Sequence, residues 1–124
     1  MPLPGIPTED IDTPALVIDL DLLESNIARM ADFFSDKKAN LRPHTKTHKT
    51  PILAHKQIEA GAQGVTCAKL GEAEVLGQGG INDLLIANMI VGPQKLDRLA
   101  ALRRIADPMV CIDHEDQLRP LSSR

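Results

Sequence analysis

A unit of extended chain followed by helix recurs through this sequence, with strand starts near residues 41, 64, 84 and 109. An interval of about 20–25 residues is the length of a strand, a turn and a short helix, so neighbouring strands run parallel with helical crossovers. The segments 64–68 and 83–88 are apolar without alternation, which predicts burial on both faces. Thr50-Pro51 supplies an N-cap and a proline at the first helical position. The helix it opens carries Ile52, Leu53 and Ile58 and ends near Gly61. The next runs through Glu72, Val75 and Leu76 and stops at Gly79-Gly80. After Gly92-Pro93, Leu96, Leu99 and Leu102 share one helical face, leaving Lys95, Arg98 and Arg103 to solvent. A fourth strand is expected over 109–113 and a further helix from 114, with Asp113 as its N-cap.

Ahead of these units lies a proline-rich lead over residues 1–12, then a strand over 14–20. Asp19 or Asp21 caps a helix whose stripe is Leu23, Ile27, Met30 and Phe34, and Lys37-Lys38-Ala39-Asn40 stops it. Two architectures suit repeated strand–helix units: a (β/α)8 barrel and a doubly wound open sheet. A dinucleotide fold places a glycine-rich turn after its first strand, and residues 41–50 contain no glycine. The barrel is therefore favoured. Four units make half of one, and the chain is expected to be the N-terminal part of something longer, ending inside a unit.

Composition excludes several classes. A chain of 124 residues suffices for one small domain. A net charge of −3 lacks the concentrated basic face of a nucleic-acid binder. No apolar run approaches the ~20 residues of a membrane span. The N-terminus has neither the basic nor the apolar region of a signal peptide. Cys67 and Cys111 lack metal-ligand spacing, suit reduced thiols in a cytoplasmic protein, and are both expected to pack in strands. Aromatic content is only 2%, so the core must rest on aliphatic contacts.

The chemistry concentrates in Arg42-Pro43-His44-Thr45-Lys46-Thr47-His48-Lys49-Thr50. A lysine at the C-terminal end of a barrel strand stands where such barrels hold their active sites. A desolvated amine there can attack a carbonyl; a solvated basic loop is the competing reading. His44 lies two residues before Lys46 and shares its face on an extended strand. Arg42, deeper on that face, is expected in a buried ion pair. Asn88 ends the third barrel strand at the same rim, and His55 and His114 are read as solvent-facing. The Gly77-Gln78-Gly79-Gly80 cluster ends a helix, so it is turn chemistry and no phosphate loop.

These residues resemble the D-threonine aldolase and D-serine dehydratase family, alanine racemase-like, fold-type III pyridoxal phosphate enzymes. The run from Leu41 to Lys49 carries the likeness most specifically, supported by residues 13–21, Gly71-Glu72-Ala73-Glu74-Val75 and Ile86-Ala87-Asn88. The resemblance implies a partial (β/α)8 TIM barrel, its first four βα units spanning residues 13–124, preceded by an N-terminal strand that belongs to a missing C-terminal β domain. It implies that Lys46 binds the cofactor pyridoxal 5'-phosphate, with His44, His48 and Asn88 as further cofactor contacts and Lys49 as the rival amine. No metal ligand is carried by this chain; a divalent Mn or Zn is expected only in the full-length protein. The implied activity is that of a lyase on D-3-hydroxy amino acids, aldolase or dehydratase, with this chain expected to be too incomplete to turn over alone and to form a homodimer at full length. A non-catalytic pyridoxal phosphate-binding barrel and an inactive truncated product are the alternatives.

Overall fold

The computed structural model describes residues 5–123; residues 1–4 of the lead and Arg124 lie outside them. The chain forms an α/β domain around a parallel sheet. Helix α1 (Leu20–Phe34) is followed by α2 (Pro51–Glu59), β1 (Val65–Cys67), α3 (Leu70–Gln78), β2 (Asp83–Met89), α4 (Pro93–Leu102), β3 (Asp107–Cys111) and α5 (Leu118–Ser122). The strands order β1-β2-β3, all parallel, in register Val65–Leu84–Pro108 and Cys67–Ile86–Val110.

The first expected strand, 40–46, departs from regularity. It runs beside β1 but makes a single bridge, His44 to Thr66. Gln63 N–H donates to Leu41 O, Thr66 N–H to Pro43 O and Thr45 N–H to Thr66 O, at 2.8–2.9 Å. Pro43 has no N–H to add to that ladder, and the chain turns at Thr45. The 14–20 segment forms no ladder among the described residues and is exposed until α1 begins. Asp19 resolves the capping choice: its carboxylate accepts from Leu22 N–H at 3.0 Å. β3 starts two residues earlier than expected because Asp107 N–H donates to Asn82 O at 2.8 Å and joins the ladder opposite Asp83.

One sheet face is buried and the other is not. Val65, Cys67, Leu84 and Ile86 are fully enclosed beneath α2, α3 and α4, with Leu70, Ala73, Leu76, Leu96, Leu99 and Leu102 packed over them. Each enclosed aliphatic contributes about 1.5–3 kcal/mol. The opposite row, Thr66, Leu85 and Met109, is half-buried or exposed, so the expected two-faced burial of the strands holds on one side only. Cys111 stands exposed on this parity, whereas Cys67 is buried; the expectation of core packing fails for Cys111 because strand alternation turns it away from the helices.

At the N-terminal edge of the open face, Arg42 reaches across β1 to Asp83. The guanidinium donates to both carboxylate oxygens, at 2.6 and 3.0 Å. Gly64 lies between them; a Cβ there would sit 2.5 Å from the Arg42 guanidinium and 2.7 Å from the Asp83 carboxyl carbon. The ion pair expected of Arg42 thus exists because the intervening strand residue has no side chain, but it is half-buried where a buried pair was expected. No helix of the described residues is long and apolar enough to cross a membrane.

Candidate functional site

Thr45 anchors the turn that presents Lys46. It is fully buried, its hydroxyl donates to Thr66 O at 3.0 Å, and its carbonyl accepts from His48 N–H and Lys49 N–H at 3.2 and 2.7 Å. Lys46 and Thr47, at the tip, are exposed. Alternation along the strand therefore stops at Thr45, and His44 and Lys46 are joined differently from the extended reading. The Lys46 N–H donates to His44 Nδ1 at 3.1 Å. The Lys46 amine itself has no hydrogen-bond or ion-pair partner among the described residues. Sequence reasoning missed Thr45; the signal available was a hydroxyl at a position whose parity faces the helices.

The two remaining members of the motif are held by their surroundings. His48 Nδ1 accepts from Thr50 N–H at 3.1 Å, while Nε2 is buried with no partner. Lys49 adopts a left-handed φ of 51° and its amine lies 3.7 Å from Glu72 Oε1. Glu72 is the joint between loops: its side chain is only 9% exposed, and Oε2 accepts from Ala68 N–H at 2.8 Å. Asn88 Nδ2 donates to Ala68 O at 3.3 Å, tying the end of β2 to the end of β1. The three successive strand-to-helix loops are thereby stitched in series: Lys49, Glu72, Ala68, Asn88. Lys46, His44 and His48 share one turn, whereas Asn88 joins them through this chain of contacts.

Two other expectations change. His114, and not Asp113, caps the 3-10 turn Glu115–Gln117, its ring accepting from Asp116 N–H, because the Asp113 carboxylate is engaged by the Gln117 amide at 2.6 Å. His55, read as solvent-facing, is half-buried and bonds Gly79 O at 2.8 Å, fastening α2 to the end of α3.

Beneath the site, burial pushes the Cys67 thiol up to about 11, against an opposing hydrogen bond from Thr45 and with the Glu72 carboxylate adding to the rise. The thiolate is the reactive form, so at pH 8 iodoacetamide is expected to label Cys111 and leave Cys67 untouched until denaturant is added; equal labelling in the folded chain contradicts the packing. The linkage sign follows. The unfolded thiol titrates near 9.0 and the folded one near 11, so within that window the folded state binds more protons. This contribution to stability is complete below the window and declines as pH rises through it.

The sequence profile described as "Alanine racemase, N-terminal domain" matches residues 18–124. The chain is 41% identical over 119 residues to a D-threonine aldolase of Arthrobacter sp, covering 96% of this chain and 31% of that protein. Among solved structures, D-threonine aldolase from Filomicrobium marinum superposes with a TM-score of 0.89 at 48% identity, over 94% of this chain and 31% of that one. D-threo-3-hydroxyaspartate dehydratase from Delftia sp. HT23 gives 0.82 at 37%, over 92% and 30%. The chain spans about a third of the length of these relatives.

Proposed function

The chain belongs to the alanine racemase N-terminal domain family, and from that premise we propose that it is the opening part, over residues 13–124, of a (β/α)8 barrel lyase acting on D-3-hydroxy amino acids in the cytoplasm. The observation that carries this reading is the exposed, unpaired amine of Lys46 on a turn anchored by Thr45, in a chain that superposes closely on D-threonine aldolase.

The donor set fits pyridoxal phosphate. An aldehyde needs a free primary amine, which Lys46 offers, and the buried, orphaned His48 Nε2 is a polar atom still lacking a partner. Lys46 would hold the cofactor covalently, with His44, His48 and Asn88 as its neighbours at the rim. Bound there, the cofactor supplies an electron sink for charge developed at the substrate Cα. Lys46 Nζ is the group of this chain able to hold or return a proton at Cα. His44 orients the turn by accepting the Lys46 N–H, and Glu72 steadies it through Lys49. A divalent metal that grips the substrate hydroxyl belongs, in this reading, to the portion of the relatives beyond this match, as does the homodimer contact.

Turnover is accordingly expected to need that portion, because a catalytic group must be held within a fraction of an ångström by its supporting shell. The 124-residue chain, given pyridoxal phosphate and Mn, should release neither glycine from D-threonine nor ammonia from D-serine. A polypeptide carrying this chain at the relatives' length should yield one or the other. Glycine plus acetaldehyde identifies an aldolase, and pyruvate plus ammonia a dehydratase. No product from D-threonine, D-serine or D-3-hydroxyaspartate at that length would favour a cofactor-binding barrel without catalysis.

A further inference from the structure

The turn after the first strand carries two primary amines three residues apart, Lys46 and Lys49, and Glu72 engages only one of them. Lys49 Nζ lies 3.7 Å from Glu72 Oε1. The Lys49 backbone is held as well, by the 2.7 Å bond from its N–H to Thr45 O and in a left-handed φ of 51°. The Lys46 amine meets no carboxylate among the described residues. Both residues are exposed, so access alone does not decide which amine meets an aldehyde.

The two oxygens of Glu72 do separate work. Glu72 is the third residue of α3, and its Oε2 accepts from Ala68 N–H at 2.8 Å, which satisfies a donor at the helix start. A glutamine could make that same bond. Oε1 is the oxygen nearest Lys49, and there the negative charge matters. The Glu72 side chain is only 9% exposed, so water compensates its charge poorly once the cation is gone. Lys49 is itself 58% exposed, which keeps the effect modest. An amine joins an aldehyde only after losing its proton. For Lys49 that loss deprives Glu72 of its counter-charge; for Lys46 it deprives no carboxylate.

We propose that Glu72 selects the lysine that captures the aldehyde, by occupying Lys49 and leaving Lys46 free. The inference rests on the assignment of pyridoxal phosphate to this turn and adds the residue that discriminates between its two amines. Capture joins the amine nitrogen to the aldehyde carbon and releases water; borohydride then delivers hydride to that carbon and leaves a secondary amine. Glu72 stays outside that bond change and is a positioning residue.

The test is to treat the 124-residue chain and its Glu72→Gln variant with pyridoxal 5'-phosphate, reduce with borohydride and map the tagged peptides by mass spectrometry. In the unmodified chain the tag is expected mainly at Lys46. In Glu72→Gln the ratio of Lys49 tag to Lys46 tag should rise about fivefold. Tags at Lys38, Lys69 and Lys95 should stay level, and the circular dichroism should be unchanged, because the amide keeps the bond to Ala68 N–H. Screening at ~1 M NaCl should raise the same ratio in the unmodified chain and leave it unmoved in the variant; the first of these needs no substitution. An unchanged ratio in the folded variant, an equal rise at the other lysines, or a salt-insensitive ratio in the unmodified chain would overturn selection by Glu72 while Lys46 keeps its assignment. A tag mainly at Lys49 in the unmodified chain would overturn the Lys46 assignment itself, and the selection with it.

Discussion

Lys46→Ala is expected to remove most of the borohydride-trappable pyridoxal phosphate, in the 124-residue chain and in any longer polypeptide that carries it. Attack on an aldehyde requires a neutral amine, and an acidic partner holds an amine protonated. Lys37, Lys49 and Lys56 each lie against a carboxylate: Asp36, Glu72 and Glu24. For Lys56 the hydrogen bond to Glu24 raises the pKa. Lys38, Lys69 and Lys95 share with Lys46 the lack of such a partner, so the preference rests on the turn that Thr45 fixes from below and that presents Lys46 at its tip. A preference of about 1.4 kcal/mol over the other amines gives a tenfold excess of tag at Lys46. Because the residue is exposed and its amine has no hydrogen-bond or ion-pair partner among the described residues, its removal should leave the circular dichroism spectrum and melting temperature unchanged, which assigns the loss to the amine. Peptide mapping after reduction is the measurement. A tag that persists in Lys46→Ala and disappears in Lys49→Ala would move the assignment three residues along the chain.

What the sequence discloses and what it conceals divide along the range of the interaction concerned. The stripe Leu96, Leu99, Leu102 predicts its own burial, since helical periodicity is local, and all three are enclosed. Asp19 marks its helix start through a bond three residues long, whereas at Thr50-Pro51 the proline alone does so, since the Thr50 hydroxyl donates back to His48 O at 2.6 Å and makes no capping bond. Arg42 announces an ion pair, but its partner Asp83 lies 41 residues away and Gly64 must be empty for the two to meet. No local pattern links those three positions. Cys111 fails for a related reason: apolar strand residues look alike on both faces, and only the register shows which face the helices cover. At the site, the motif from Arg42 to Thr50 makes Lys46 conspicuous, whereas Thr45 and Glu72, which fix its turn and its neighbour, read as an ordinary hydroxyl and an ordinary helix-start acid. Their role rests on backbone groups, Thr66 O and Ala68 N–H, that a sequence does not display.

The open face supplies the second large effect. Ile86 is fully enclosed among β1, α3 and α4, and its neighbour Leu85 points to the half-covered side. Truncating an enclosed isoleucine removes its transfer free energy and leaves a cavity, together about 3 kcal/mol. For a chain of this length that is a fall of roughly 12 °C in melting temperature, and it consumes much of the 5–15 kcal/mol typical of a whole domain. Leu85→Ala removes a similar volume from a side chain that water already reaches, so about 1 kcal/mol is expected. Thermal melts of the two variants of the 124-residue chain decide the matter. A large gap between them means that the second sheet face lacks a covering layer, as an opening segment of a barrel requires. Equal losses would mean that Leu85 is enclosed as Ile86 is, by a second copy or by a different closure of the sheet. The partial-barrel reading would then fail even with Lys46 in its assigned role.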